Sequence, residues 1–412
     1  MKTEIEQLMD EDQIDLLWIT GSAINNPAMV YVTGGGFLTR ADYFQKRGEK
    51  PVLFHASMER DEAAKTGLPT KCYDQIAMAE YLKQCDGDQI QAQILLYEKI
   101  LKELNFQSGR IALYGTMDVG TGLVVFSGIK QKFPEIEFVG YKLDGVLLRA
   151  RATKDFEEVD RVRNMGKATI YVAEMLIDYL THCPVRGGVL FDDMDRPLTV
   201  SVVKNKIDLW LSEKGAENPE GTIFSLGRDA AVPHSAGNPS DVVREGVPIV
   251  FDIFPREKGG GYFHDFTRTW CLGYAPDEVL RLYEDVLEVY RKVISQIQAN
   301  QPFYTYHKMT CELFEMKGHP TVMMEAGTQA GYVHGLGHGV GLEVHELPYF
   351  NAVRGEKNHL KPGSVFTIEP GLYYPEMNMG VRLENTFWMR PGGELENLAD
   401  FPLELVLPMS SS

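Results

Sequence analysis

Five residues able to ligate a hard cation are spread over the last two-fifths of the chain: Asp252, Asp265, His338, Glu369 and Glu384. Each lies in a strand-like or glycine-rich stretch, so a fold that uses them together must bring distant segments to one point. Four carboxylates and one imidazole suit a pair of divalent cations, because carboxylates can bridge two ions while an imidazole nitrogen caps one. The set implies a dinuclear metal centre and hydrolytic chemistry.

Composition narrows the class. The 412 residues suffice for two or three domains, and a formal net charge of -17 argues against a nucleic-acid partner, which would need basic surface to neutralise phosphates. Cys72, Cys85, Cys183, Cys271 and Cys311 are odd in number, scattered and without CxxC spacing, so neither a disulfide framework nor a zinc finger is expected and a reducing compartment fits. The N-terminal MKTEIEQLMDEDQIDLLWIT is acidic where a signal peptide is basic, and no apolar run approaches the ~20 residues of a membrane span. A cytoplasmic location is expected.

Residues 1–150 alternate short apolar runs with helical patterns and predict a small α/β domain. Leu16 to Thr20, Met29 to Thr33 and Val52 to His55 read as strands, and Ala77 to Gln84 and Ile90 to Leu104 as helices. From residue 151 to 412 the pattern predicts an α+β domain. Its first helix starts near Thr153 and Asp155, with Glu157 and Glu158 favouring the positive end of the helix dipole. Val159, Val162, Met165, Thr169, Val172, Leu176 and Leu180 then form a stripe at helical spacing, as core packing requires. Helices are predicted over Leu198 to Leu211 and Pro276 to Ile297, and strands over Thr222 to Leu226, Val247 to Phe254, Val365 to Ile368 and Val381 to Trp388.

The ligand candidates occupy four segments. In Val247 to Trp270 two strands joined by a turn form a hairpin, and period-two alternation puts Asp265, Thr267 and Thr269 on one face with His264, Phe266 and Arg268 on the other. An aspartate within Val250-Phe251-Asp252-Ile253 is costly unless something pairs with it, although backbone N–H groups alone could serve. His334 to Pro348 carries three histidines and four glycines, and lacks the strand-to-helix context of a phosphate cradle. Ser364 to Pro375 and Met379 to Trp388 each set a glutamate in an apolar strand, with Arg382, Glu384 and Thr386 on a common face; Arg382 and Glu384 could equally be an ion pair.

This ordered series, Asp252, Asp265 in HDFTRT, His338 in GLGHGVGLEVHE, Glu369 in TIEPG and Glu384 in VRLEN, resembles the Xaa-Pro aminopeptidase and prolidase group of the pita-bread metallopeptidases. The smaller domain ahead of it is similar to the creatinase-like N-terminal domain of that group, so the likeness spans nearly the whole chain. The resemblance implies that Asp252 chelates one metal, that Asp265 and Glu384 bridge two, and that His338 and Glu369 complete the second site. It implies hydrolysis of the bond before proline by a metal-bridging hydroxide, with Glu369 as general base and His334 and His345 binding substrate and steadying the oxyanion. His234 in AAVPHSAGNPSD resembles a further active-site histidine, and Arg382 an arginine beside the metals. The donor set suits manganese or cobalt, with zinc and iron as alternatives, and relatives suggest a homodimer or larger assembly. The implied substrate is a small peptide with proline in second position. A related dinuclear enzyme acting on a small non-peptide compound, or a non-catalytic module of the same fold, are the alternatives.

The chain departs from the group at one place. Asp252 and Asp265 are two residues further apart than is usual, and Ile253-Phe254-Pro255 stands where small residues are common. Adding two residues preserves strand parity, so metal binding is expected to survive. Phe254 and the loop Arg256 to Gly261 are instead expected to reshape the substrate pocket.

Overall fold

The computed structural model describes residues 4–140, 144–350 and 358–410. The chain divides into two compact units, Met1–Arg151 with Gly259–Gly261, and Ala152–Lys258 with Tyr262–Ser412.

The first unit is built on a mixed sheet of β1 (Leu16–Gly21), β2 (Ala41–Lys46), β3 (Val52–His55), β4 (Thr70–Cys72), β5 (Gly109–Gly115) and β6 (Ile136–Val139), in the order β4-β3-β2-β1-β5-β6. Period-two alternation in β1 sends Leu16 and Trp18 into one apolar cluster and Leu17 and Ile19 into another, so both faces of the sheet are covered. The cluster around Trp18 includes Leu96 and Ile100 of helix Gln89–Glu103 and Val125 and Ile129 of helix Val119–Lys132. Asp42 is buried there, and its carboxylate accepts from Trp18 Nε1 at 3.0 Å and from Tyr73 Oη at 2.6 Å, the partners a buried charge needs.

One predicted element is corrected: Met29 to Thr33 is not a strand but part of the helix Pro27–Thr33. The local signals outweigh the β-branched run. Asn26 caps the helix by accepting from Met29 N–H, Pro27 opens the first turn, and Gly34 ends it at φ 79°, a conformation glycine adopts without strain.

In the second unit, helix Phe156–His182 starts at a capping box in which Asp155 and Glu158 satisfy each other's backbone N–H groups. Its stripe from Val159 to Leu180 is buried throughout. Together with helix Val200–Glu213 it packs on the antiparallel strands β7 (Ile223–Leu226), β8 (Ile249–Ile253) and β9 (Phe266–Leu272), through Leu176, Ile207, Phe251, Phe266 and Trp270. A second sheet has the order β11-β10-β12-β13-β14, from β10 (His338–Gly339), β11 (Glu346–Tyr349), β12 (Val365–Ile368), β13 (Asn385–Met389) and β14 (Leu395–Asn397). Helices Asp277–Ile294 and Phe303–Met316 cover it through Val286, Tyr290, Phe314 and Phe366. Pro276 stands at the N-cap of the first of these, one position ahead of the helix.

The strand predicted from Val381 to Trp388 is also corrected. Met379–Arg382 pairs with Gly371–Tyr374, whereas β13 pairs with β12, so the chain changes partners at Leu383 and Glu384. At that crossing Glu384 N–H donates to Thr267 O of β9 at 3.0 Å. The break brings a carboxylate between two sheets, a position no uninterrupted strand supplies.

Candidate metal centre

All nine predicted site residues line one cavity of about 560 Å³: Asp252, Asp265, His338, Glu369 and Glu384, together with His234, His334, His345 and Arg382. Strand pairing accounts for the convergence. In the β8–β9 register Asp252 lies opposite Thr267, two residues from Asp265, so both aspartates project to the same side. His338 opens β10, whose neighbours are β11 and β12, while Glu369 directly follows β12. Glycine makes that pairing possible: a Cβ at Gly337 would sit 2.1 Å from Thr367 O, and one at Gly339 2.1 Å from Leu347 O.

Donor atoms of Asp265, His338 and Glu384 all lie within 4.8 Å of one another. His338 Nε2 is 3.6 Å from Asp265 Oδ2 and 3.3 Å from Glu369 Oε1. Its Nδ1 donates to Gly339 O at 3.1 Å, which turns the Nε2 lone pair toward the carboxylates. Burial drives the His338 imidazole down to about 3, with His345 nearby adding to the effect, so the ring is neutral as a ligand must be. Asp252 Oδ2 accepts from Arg382 Nη2 at 2.6 Å. The predicted Arg382–Glu384 alternative is therefore replaced by an Arg382–Asp252 pair.

The carboxylates do not accommodate one another unaided. Burial, then Glu384 and Asp252, push Asp265 well above the ordinary range, and burial, Glu369 and Asp252 do the same to Glu384. Burial pushes Glu369 up to about 8, against the opposing pull of Arg382. Asp252 Oδ1 and Glu384 Oε1 are buried without a hydrogen-bond partner among the described residues. Orphaned oxygens beside a neutral imidazole nitrogen are the donor set of a divalent cation, and the residues fit one.

Several participants were not singled out from the sequence. Tyr373 Oη accepts from Arg382 Nη1 at 2.8 Å and lies 2.9 Å from His334 Nε2, to which it can donate. His334 Nδ1 donates to Gly335 O at 2.7 Å, so a chain of hydrogen bonds runs from Arg382 through Tyr373 to His334. Thr267 Oγ1 donates to Glu384 Oε2 at 2.6 Å, and Thr386 Oγ1 receives Asp265 N–H at 3.2 Å. Parity held the signal: Thr267 and Thr386 share faces with Asp265 and Glu384, and Tyr373 lies four residues beyond Glu369. His234 and His345 are exposed, and the His345 ring sits 4.2 Å from that of His338.

Fold and site together define a metal-dependent hydrolase of pita-bread architecture. The sequence profile of metallopeptidase family M24 matches residues 164–391, more than half of the chain, and the chain belongs to that family. It is similar to an Xaa-Pro dipeptidase of Pyrococcus furiosus, 27% identical over 404 residues that cover 95% of this chain and 97% of the relative. The fold is that of the prolidase from Pyrococcus furiosus, with TM-score 0.72 at 22% identity over 96% of this chain and 99% of that one. It is likewise that of an X-Pro aminopeptidase from Thermotoga maritima, with TM-score 0.72 at 23% identity over 98% of both chains.

Proposed function

We propose that this protein is a metal-dependent Xaa-Pro peptidase that hydrolyses the bond before proline in small peptides. The observation that carries the reading is the meeting of Asp265, His338 and Glu384 donor atoms within 4.8 Å inside the cavity that Asp252 and Glu369 also line. Four carboxylates with one imidazole match the charge of two divalent ions, and Asp252, Asp265, His338, Glu369 and Glu384 would hold them. Oxygen-rich donors favour manganese or cobalt over a thiolate-seeking ion. When bound, the metal supplies Lewis acidity for the scissile carbonyl and for water.

The chain's own residues do the rest. Glu369 takes the proton of the attacking water and passes it to the leaving nitrogen. His345, exposed at the cavity and with no side-chain hydrogen bond among the described residues, donates to the developing oxyanion. His334 is neutral, since burial and Arg382 hold its ring down to about 3, and Tyr373 sets its orientation at the cavity wall. Arg382 fixes Asp252, and His234 completes the substrate-facing wall. The catalytic domain is assigned to residues 151–412 and a creatinase-like domain to residues 1–150. A reducing, cytoplasmic location accords with the free cysteines, and among the described residues no helix is long and apolar enough to cross a membrane; a homodimer rests on the family resemblance alone.

The test is hydrolysis of Xaa-Pro and Xaa-Pro-Ala peptides by manganese- or cobalt-loaded protein. Activity lost on chelation, regained on reloading and abolished in Asp265→Ala supports the reading. Metal-loaded protein inert toward every proline peptide sinks it.

A further inference from the structure

Phe254 has no part in the assignments above, yet it lines the same cavity as the metal cluster. Alternation puts its ring on the same side of the β8 strand path as Asp252, about 7 Å further along. The Ile223↔Asp252 pairing carries that path toward Gly221 and Glu220, which also line the cavity. Phe254 therefore adjoins the carboxylate end of the site, and Ile223 and Val344 extend its apolar surface.

The ring stands on a braced segment. Pro255 restricts the backbone of Phe254 to extended conformations, and Pro255 O accepts from His264 N–H at 2.9 Å. The next two residues, Arg256–Glu257, pair antiparallel with Ala216–Glu217. Arg256 Nε donates to Glu217 Oε1 at 2.8 Å, and Arg161 grips Glu257 with Nε at 3.0 Å and Nη2 at 2.6 Å. The extra length between Asp252 and Asp265 is thus built into a rigid wall.

We propose that Phe254 is a specificity-determining residue whose ring packs on the side chain of the peptide's N-terminal residue, so that large apolar residues are favoured before proline. The inference rests on the peptidase reading given above. The scissile carbonyl belongs to the peptide's N-terminal residue, so that residue must sit at the end of the cavity where Asp252, Asp265, His338 and Glu384 converge. Its side chain then lies along the wall that runs from Asp252 to Phe254. Aromatic packing against an apolar side chain rewards size, and glycine at that position forfeits it.

The experiment compares kcat/KM for Gly-Pro, Ala-Pro, Leu-Pro and Phe-Pro, and for the same sequences extended by alanine, in metal-loaded full-length protein and its Phe254→Ala and Phe254→Tyr variants. The parent is expected to prefer Phe and Leu over Gly. Phe254→Ala should lower that preference about tenfold, mainly through KM, and Phe254→Tyr should keep it. Should Phe254→Ala fail to fold, Phe254→Leu reads the same ratio and is expected to give an intermediate preference. A loss uniform across the series, an unchanged ratio, or a parent indifferent to side-chain size overturns the inference while leaving the peptidase reading standing. No hydrolysis of any member by the parent overturns both.

Discussion

The sharpest consequence of the site is that one substitution should stabilise the metal-free protein and destabilise the metal-loaded one. Donor atoms of Asp265 and Glu384 lie within 4.8 Å. Two carboxylate charges at that distance repel by about 3.5 kcal/mol at an effective dielectric of roughly 20. Asp265→Asn removes one charge and retains the oxygen that accepts from Phe266 N–H at 2.9 Å, so little hydrogen bonding is lost. Because burial and its neighbours raise the Asp265 carboxyl, the parent already relieves part of the strain by holding protons, which limits the gain to about 1–3 kcal/mol. At about 2–4 °C per kcal/mol, the chelated variant should melt several degrees above the chelated parent. With metal at about 1,000 times its dissociation constant the parent gains about 4.1 kcal/mol, more than the variant's advantage in chelator, and the variant, having lost a ligand, gains far less. Calorimetric melting of both proteins at pH 7, in chelator and in excess Mn²⁺, therefore should show their order of stability reverse. A chelated variant no more stable than the chelated parent would refute the charge argument.

Three further outcomes follow from individual contacts. Glu369→Gln should lower kcat by about 10²–10⁴-fold with KM little changed, checked by steady-state kinetics beside metal analysis of the purified variant. Tyr373→Phe severs the link between Arg382 and His334 and should cost about tenfold in kcat/KM; a change under twofold would show that His334 is held by other means. His307 is buried beside Tyr332 and Cys311, and burial lowers its ring to about 4. Its folded pKa lies below its unfolded value of about 6.5, so its stabilising contribution is whole above pH 6.5 and is lost as pH falls toward 4. At pH 5 the loss is about 2 kcal/mol relative to pH 8, and urea unfolding of His307→Gln should show a correspondingly shallower pH dependence.

Much of this protein is legible in its amino-acid sequence. The candidate ligands could be named because a carboxylate inside an apolar strand carries a desolvation cost that demands a partner, and strand parity says which side chains share a face. Asp252, Asp265, His338, Glu369 and Glu384 do line one cavity. The long amphipathic helices Phe156–His182 and Asp277–Ile294 were equally readable, since periodicity and end signals are local properties of the chain. Where local signals competed, reading by residue type failed: the run Met29 to Thr33 has β-branched members, but Asn26, Pro27 and Gly34 make it a helix.

What lay beyond one-dimensional reading were relations between segments with no sequence signature of their own. Arg382 neighbours Glu384 in the chain yet pairs with Asp252, because the strand breaks at residues 383 and 384 and the two sheets meet there. Tyr373 joins Arg382 to His334 through a hydroxyl that a reading by residue type treats as ordinary strand aromatic. Phe254 could be marked as unusual from its neighbours, but its place in the cavity wall depends on the bracing of Glu217 and Arg161 from elsewhere in the chain. Chemical type and periodicity are carried by each residue and its near neighbours, whereas the distance between two charges is set by how whole sheets pack. The ligand set belongs to the first kind of information, and the arrangement that orients it to the second.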